Sequence, residues 1–207
     1  MFGTDVSVNS LKLAQSFKRA HTIEQVAFYQ MNLFKPIFVP ESFDVVICNG
    51  VLHHTGDPQR GFTSIARLVK REGYVMVGLY NEFGRFATDV RRLVFNLAGD
   101  HFKSLDPYLR RADVGARKKK AWFADQYKNP HESKHTLGEV LHWFERAGLE
   151  YINGIPKPSL LETFSEAEQL FRPHSMGGRL DRFLVQSAML LNGGAEGGFF
   201  VTVGRKP

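Results

Sequence analysis

The sequence predicts an α/β fold in which six strands form one mostly parallel sheet that is flanked by helices. Short β-type runs alternate with helical periods along the chain, as in strands joined by crossover helices. The run Phe43–Cys48 is apolar except for Asp44, which is typical of a parallel strand buried on both faces. The link from a predicted strand at Glu150–Ile155 to another at Phe199–Val203 is hairpin-like, so we expect the last strand to run antiparallel.

Local signals define the elements of the first part of the chain. Ser7 can cap a helix whose apolar residues recur at helical spacing, and Val26–Met31 is predicted to be a strand. The pair Asp57-Pro58 begins a helix, because Asp is a good N-cap and Pro suits the first helical position. Gly73 can end that helix in the left-handed conformation that glycine tolerates. Tyr74–Tyr80 is predicted to be the next strand.

Two insertions interrupt the alternation, at about residues 81–135 and about residues 156–179. The first is polar and basic, with a helix predicted around Phe86–Leu97. Between the insertions, Thr136 and Glu139 form a capping box for a helix that Gly148 ends. After the second insertion we predict one more amphipathic helix, which the Gly-rich turn Gly193–Gly198 joins to the last strand.

Composition excludes several classes of protein. The chain has 207 residues, 43% of them hydrophobic and 23% charged, as in one globular domain with a sizeable core. Its apolar runs are of strand length, shorter than the ~18–20 residues that span a membrane, and its N-terminus lacks the pattern of a secretory signal. The single cysteine, Cys48, lies in an apolar run, so we expect a buried thiol in a reducing cytoplasm.

The positive charge raises the question of nucleic acid. The net charge is +6, and much of the excess lies at Arg91–Arg92, Arg110–Arg111 and Arg117–Lys120. This is either a solvated helix face or a patch that contacts phosphates. The segment lacks the interleaved aromatic residues of a single-strand platform, so the sequence does not favour a nucleic acid partner.

Three stretches carry a resemblance to a known family. Gly3-Thr4-Asp5-Val6-Ser7 is similar to the second strand and following helix of class I S-adenosylmethionine-dependent methyltransferases. The run from Phe43 through Leu52-His53-His54 to Asp57-Pro58 is similar to their fourth strand and turn, and Ile65–Tyr74 to the approach to their fifth. The chain is closest to the branch that includes quinone-ring methylases. The resemblance implies a single methyltransferase-like domain over residues 1–207 with a Rossmann-like sheet.

The chain departs from this family at its start. The family's first strand and glycine-rich loop would lie roughly 20 residues before Asp5, and the chain begins at Met1. We therefore expect a sheet that lacks this strand and loop, and impaired cofactor binding. Asn32 also stands where the family usually has an acidic residue.

The resemblance assigns the cofactor S-adenosylmethionine to the carboxyl ends of the strands, where parallel sheets bind ligands. Asp5 would accept hydrogen bonds from the ribose hydroxyls, and Asn32 would approach the adenine amino group. Asn49 and Gly50 would border the methyl donor, with glycine permitting close backbone approach. Each residue also has a purely structural interpretation as a strand-end turn or cap.

Candidate catalytic groups lie in two places. One is the turn after Phe43–Cys48, the stretch that is similar to the family's fourth strand, and the other is the first insertion. His53 or His54 could deprotonate an acceptor, or both could be packed structural residues. The segment Asp125–His135 is dense in polar groups, including Tyr127 and His131 as tentative catalytic residues. It is either a solvated loop or a lid that brings Tyr127, His131 or His135 near Asn49. We predict no metal site, because no compact zinc-ligand spacing is present.

Methyl transfer needs mainly the alignment of donor and acceptor, so no nucleophilic Ser or Cys is expected. The first hypothesis is methyl transfer to a small-molecule acceptor. The alternatives are a degenerate binding protein that has lost the cofactor and an RNA methyltransferase.

Overall fold

The computed structural model describes residues 1–129, 131–163, 165, 167–192 and 198–207, which form an α/β architecture. The strands are β1 (Phe2–Asp5), β2 (Ala27–Gln30), β3 (Phe43–Asn49), β4 (Val69–Tyr80), β5 (Glu150–Ile155) and β6 (Phe199–Arg205). The helices are α1 (Val8–Ala20), α2 (Pro58–Ala66), α3 (Phe86–Ala98), α4 (Pro107–Arg110), α5 (Ala116–Lys128), α6 (Leu137–Arg146) and α7 (Arg179–Asn192). None of these described helices is long and apolar enough to cross a membrane.

The main sheet has the strand order β3-β4-β6-β5. Strands β3 and β4 pair in parallel, whereas β6 is antiparallel to both β4 and β5. The predicted antiparallel last strand is therefore confirmed. Because β6 runs in the opposite direction, its first residue, Phe199, pairs with Tyr80 at the carboxyl end of β4.

The expectation that all six strands share one sheet is wrong. Strands β1 and β2 form a separate parallel pair. The pair approaches the main sheet through aromatic contact, with the Phe2 and Phe43 ring centroids 5.8 Å apart. In the described part of the chain no strand hydrogen-bonds between β1 and β3, and we call the space between them the slot.

Strand β3 is an edge strand and not the doubly buried strand that its apolar sequence predicts. Val45 is 40% exposed and Ile47 is 64% exposed. Both side chains line the slot, so the open edge beside β3 explains their exposure. Apolar residues at these positions fit a strand that has neighbours on both sides.

The three predicted helix caps are confirmed. Ser7 Oγ accepts a hydrogen bond from Ser10 N at 3.3 Å, Asp57 Oδ1 from Arg60 N at 3.0 Å, and Thr136 Oγ1 from Glu139 N at 3.2 Å. Gly148 follows α6 with φ +68°, as predicted for a helix-ending glycine.

The predicted end of α2 at Gly73 is wrong. The helix ends at Ala66 and β4 already begins at Val69, while Glu72 has the positive φ of +64°. Glycine at position 73 instead allows the backbone of β3 to pack closely, because a Cβ there would lie 2.9 Å from the Asp44 carbonyl oxygen.

The main core lies between the sheet and helices α2 and α6. Phe62 of α2 stacks on Phe144 of α6, with ring centroids 5.3 Å apart and planes 12° apart. Val77 and Leu79 of β4 are fully buried against this layer. The first insertion has a smaller core of its own, formed by Phe95, Phe123 and Tyr127. Of the predicted turn Gly193–Gly198, residues 193–197 lie outside the described residues.

Candidate active site

The slot contains a cavity of about 640 Å³ at the carboxyl ends of β1 and β3. Its lining includes Asp5, Asn32 and Asn49, together with apolar side chains of the β3 edge. Three of the predicted cofactor-binding residues therefore meet at one cavity. The direction of the strands explains this, because the carboxyl ends of parallel strands lie at the same edge.

Asp5 and Asn32 each use one oxygen to order the local backbone. Asp5 Oδ1 accepts from Ser7 N at 2.7 Å, and Asn32 Oδ1 accepts from Phe34 N at 2.9 Å. Within the described residues the second carboxylate oxygen of Asp5 remains available for a ligand. A carboxylate that is held by the backbone and has one open oxygen suits a pair of ribose hydroxyls.

Asn49 is the last residue of β3, and Gly50 follows it. Asn49 Nδ2 lies 3.6 Å from Met76 Sδ on β4. Gly50 has φ +73°, and nothing lies within 4 Å of a Cβ added there. Glycine is therefore explained by backbone conformation and not by close approach of another group.

Cys48 is not the fully buried residue expected from the sequence. Its side chain is half-buried and lines the same cavity. Burial raises the pKa of the thiol to about 11, so it stays protonated at neutral pH.

The first insertion packs on the turn after β3. The Ser133 amide donates to the His53 carbonyl at 2.8 Å, and the His135 amide donates to the Tyr80 carbonyl at 2.9 Å. The segment that ends the insertion therefore lies along the carboxyl edge of the sheet, as the lid hypothesis requires, and does not project into solvent.

His54 lies at the centre of these contacts. Its Nδ1 is 3.0 Å from the His131 carbonyl oxygen and 2.9 Å from Asn129 Nδ2, while its Nε2 is 3.8 Å from Asp125 Oδ1. Nδ1 can use only one of its two contacts at a time. When Asn129 donates, the ring proton is on Nε2; when Nδ1 donates to His131, Nε2 has a lone pair facing Asp125.

Comparison with known families decides the class of the protein. A family profile described as a methyltransferase domain matches residues 1–148, which include β1 to β4 and all the cavity residues named above. The chain belongs to the class I S-adenosylmethionine-dependent methyltransferases. The cavity fits their cofactor, because it combines a held carboxylate with apolar side chains and has a volume typical of ligand pockets.

Relatives among curated proteins agree with this methyltransferase assignment. An uncharacterized protein of Synechococcus, syc1184_c, is 28% identical over 175 residues, which is 72% of this chain and 41% of that protein. An uncharacterized methyltransferase of Bacillus subtilis, YcgJ, is 29% identical over 79 residues, or 38% of this chain and 31% of YcgJ. The methyltransferase chain thus spans less than half the length of these curated relatives.

Solved structures show the same fold. The crystal structure of Bacillus subtilis YcgJ has a TM-score of 0.53 and 15% identity, covering 100% of this chain and 82% of that one. PKMT2 from Rickettsia typhi in complex with AdoHcy has a TM-score of 0.64 and 13% identity, covering 99% of this chain and 43% of that one.

The methyltransferase has a buried polar network that the sequence did not reveal. Arg85 is fully buried and forms a bidentate pair with Glu132, with Nε to Oε1 at 3.0 Å and Nη2 to Oε2 at 2.6 Å. Arg85 also donates to Gln126 Oε1, and its guanidinium lies 3.9 Å from the Tyr80 ring centroid. The bond from Arg85 fixes the Gln126 amide, whose nitrogen then donates to the Tyr80 hydroxyl at 2.7 Å.

His53 differs sharply from its neighbour His54. It is 1% exposed, and its ring nitrogens have no partner among the described residues. Burial, together with His54, Arg85 and His135, lowers its pKa to about 3. His53 is therefore a neutral packing residue beside the Tyr80 ring, whose centroid is 4.2 Å away.

The three residues predicted to belong to a lid have different surroundings in the methyltransferase. Tyr127 is 4% exposed and donates to Asp106 Oδ2 at 2.5 Å inside the insertion core. His135 is held by Ser133 and Glu139 at 2.8 and 3.0 Å. His131 reaches the site through its carbonyl oxygen, which contacts His54. The insertion thus approaches the turn after Asn49 mainly through backbone groups.

Proposed function

We propose that this methyltransferase domain acts on a small-molecule acceptor at the carboxyl edge of the sheet. The observation that carries the proposal is that Asp5, Asn32 and Asn49 line one cavity, beside the turn that bears His54. Asp5 binds the ribose hydroxyls, Asn32 approaches the adenine amino group, and Asn49 with Gly50 borders the methyl donor. The insertion that covers this edge defines a limited space for the acceptor.

His54 is the base that takes the acceptor's proton. Its Nε2 is available for this when Nδ1 donates to the His131 carbonyl, so His131 acts as an orienting residue. Tyr127 has no catalytic role in this proposal, because its hydroxyl is engaged by Asp106 within the insertion core.

The slot weakens cofactor binding in the 207-residue chain. The facing edges of β1 and β3 have no ladder partners in the described structure, so no backbone hydrogen bonds hold the two sides of the cavity at a fixed separation. The bond from Ser7 orients the Asp5 carboxylate locally, but the pair β1–β2 is not hydrogen-bonded to the strand that carries Asn49. A strand placed in the slot would fix both Asp5 and the β3 edge.

Calorimetry with AdoHcy, which avoids turnover, tests these assignments. We expect the 207-residue chain to bind more weakly than micromolar, and Asp5→Ala to abolish the remaining binding. Asp44→Ala is the matched control, because this carboxylate pairs with Lys70 at 2.9 Å and does not belong to the cavity lining. Grafting the N-terminal segment of YcgJ before Met1 should tighten binding at least tenfold.

Each outcome bears on a separate part of the proposal. Micromolar binding by the ungrafted chain would overturn the claim of impairment. Binding that is insensitive to Asp5→Ala would overturn the assigned cofactor site. A grafted chain that still fails to bind would favour a degenerate binding protein.

A further inference from the structure

A second cavity of about 420 Å³ opens at the carboxyl end of β4, on the side of the sheet covered by the insertion. Its lining includes the aromatic rings of Tyr80, Trp122 and Phe199 and the polar side chains of Asp125 and Gln126. The aromatic residues are held rigidly: Tyr80 and Phe199 pack edge to face at 5.8 Å, and Trp122 stacks on Tyr108 at 4.3 Å. A volume near the lower end of the range for ligand pockets suits a molecule of one or two rings.

The second cavity adjoins the cavity in the slot, the proposed cofactor cavity, near Gly78. A Cβ added to Gly78 would overlap the Phe199 ring and lie 2.9 Å from Asn49 Oδ1, so both side chains lie over the same face of this glycine. Phe199 lines the second cavity and Asn49 lines the first. The two side chains are therefore neighbours where the cavities approach each other, which brings a bound acceptor toward the methyl donor.

Asp125 is the polar group with capacity for a ligand. Its Oδ2 accepts from Gln126 Nε2 at 2.8 Å and faces the Tyr80 hydroxyl at 3.4 Å. Its Oδ1 faces His54 Nε2 at 3.8 Å, which is too long for a hydrogen bond. The side chain is 48% exposed, so a hydrogen-bond donor can reach Oδ1.

We propose that the second cavity binds the methyl acceptor and selects an aromatic ring with hydroxyl or amine N–H groups, which Asp125 recognises. This inference rests on the proposed function. A lone pair on the acceptor oxygen or nitrogen forms the bond to the methyl carbon, while the carbon–sulfur bond breaks and its electron pair stays on sulfur. The proton of the acceptor passes to His54 Nε2, and Asp125 stabilises the resulting imidazolium.

The quenching of Trp122 fluorescence by catechol tests this site without turnover. The chain has only two tryptophans, and Trp143 is 3% exposed in the main core, so Trp122→Phe should remove the quenching. 1,2-Dimethoxybenzene, which lacks donors, and cyclohexane-1,2-diol, which lacks the aromatic ring, should each bind at least tenfold more weakly than catechol.

Asp125→Asn should weaken catechol binding at least tenfold in calorimetry, which remains informative if Trp122→Phe disturbs folding. Equal binding of catechol and 1,2-dimethoxybenzene, or no effect of Asp125→Asn, would overturn the inference. Asp5→Ala should leave catechol binding unchanged, so failure of the cofactor site and failure of the acceptor site give different results.

Discussion

The cavity in the slot, which we propose binds the cofactor, and the second cavity, which we propose binds the acceptor, have walls of different kinds. The cofactor cavity lies between two strand edges that do not pair, and its apolar wall is solvent-accessible, with Ile47 64% exposed. The acceptor cavity lies against a sealed wall, in which Tyr80 is 7% exposed, Gln126 is 2% exposed and Arg85 is fully buried. The wall of the first cavity is formed by unpaired strand edges, and the wall of the second is formed by a buried network of side chains.

This difference indicates where rigidity is already present. On the acceptor side, hydrogen bonds and an ion pair hold Tyr80 and Gln126 in place before any ligand arrives. On the cofactor side, the open slot provides no equivalent support for β1 and β3. We therefore expect substitutions to lower the free energy of unfolding strongly in the buried wall of the second cavity and only slightly in the exposed wall of the slot.

The largest effect is expected from Arg85→Ala. Removing the guanidinium leaves the Glu132 carboxylate, which is 1% exposed, with the single bond from Arg92 Nη2 at 2.9 Å in place of its bidentate partner. Gln126 and the Tyr80 ring lose the same guanidinium. Removing one partner of a buried ion pair costs about 3–5 kcal/mol, which should appear as a lower free energy of unfolding in urea denaturation. Arg111→Ala is the control, because the pair between Arg111 and Asp113 is exposed and should contribute little. Similar losses in the two variants would show that the network does not stabilise the wall.

A second comparison uses two apolar positions in neighbouring strands. Leu79→Ala removes a fully buried side chain of β4 and should cost about 2–5 kcal/mol. Ile47→Ala, on the open edge of β3, should change stability by less than about 0.5 kcal/mol. Thermal and urea unfolding measure both variants, and a large loss for Ile47→Ala would mean that the slot is closed in solution.

The smallest of these effects depends on pH and concerns His53. Burial lowers the pKa of His53 to about 3 in the folded protein, below the value of about 6.5 of an unburied histidine, so the unfolded chain binds the additional proton between these values. Stability from this group is fully present above pH 6.5 and is lost as the pH falls toward 3. The loss relative to His53→Phe should reach about 2 kcal/mol at pH 5.

Urea unfolding between pH 5 and pH 8 measures this difference. His142→Phe is the control, because His142 lies on the exposed face of α6 with a side chain that is 60% exposed. If wild type and His53→Phe lose stability in parallel as the pH falls, His53 is not neutral and buried as described.

Local signals in the sequence predicted the parts of the fold that depend on neighbouring residues. The caps at Ser7, Asp57 and Thr136 each involve a partner only three residues away. The meeting of Asp5, Asn32 and Asn49 also followed, because strand direction alone brings strand ends to one edge.

Other features depend on partners far along the chain and could not be predicted in this way. Arg85 pairs with groups 41 and 47 residues away, and nothing in its local sequence indicates burial. Tyr127 was predicted to be catalytic from its polar surroundings, but its partner Asp106 lies 21 residues earlier in the insertion core. The separation of β1–β2 from the main sheet likewise depends on which distant segments of the chain hydrogen-bond to each other, and local sequence does not indicate this.

Helix α5 carries Trp122, Asp125 and Gln126 on one face, at spacings of three and four residues, and all three line the second cavity. Gln126 is tied to the buried Arg85, and Trp122 donates to Asp106 at 3.0 Å within the insertion, whereas the Asp125 side chain is 48% exposed. If the second cavity binds the acceptor, evolution can exchange the residue at position 125 and alter the preferred acceptor while the scaffold and the strands that line the slot stay as they are. Substrate divergence among relatives is then expected to concentrate at this exposed position of the helix.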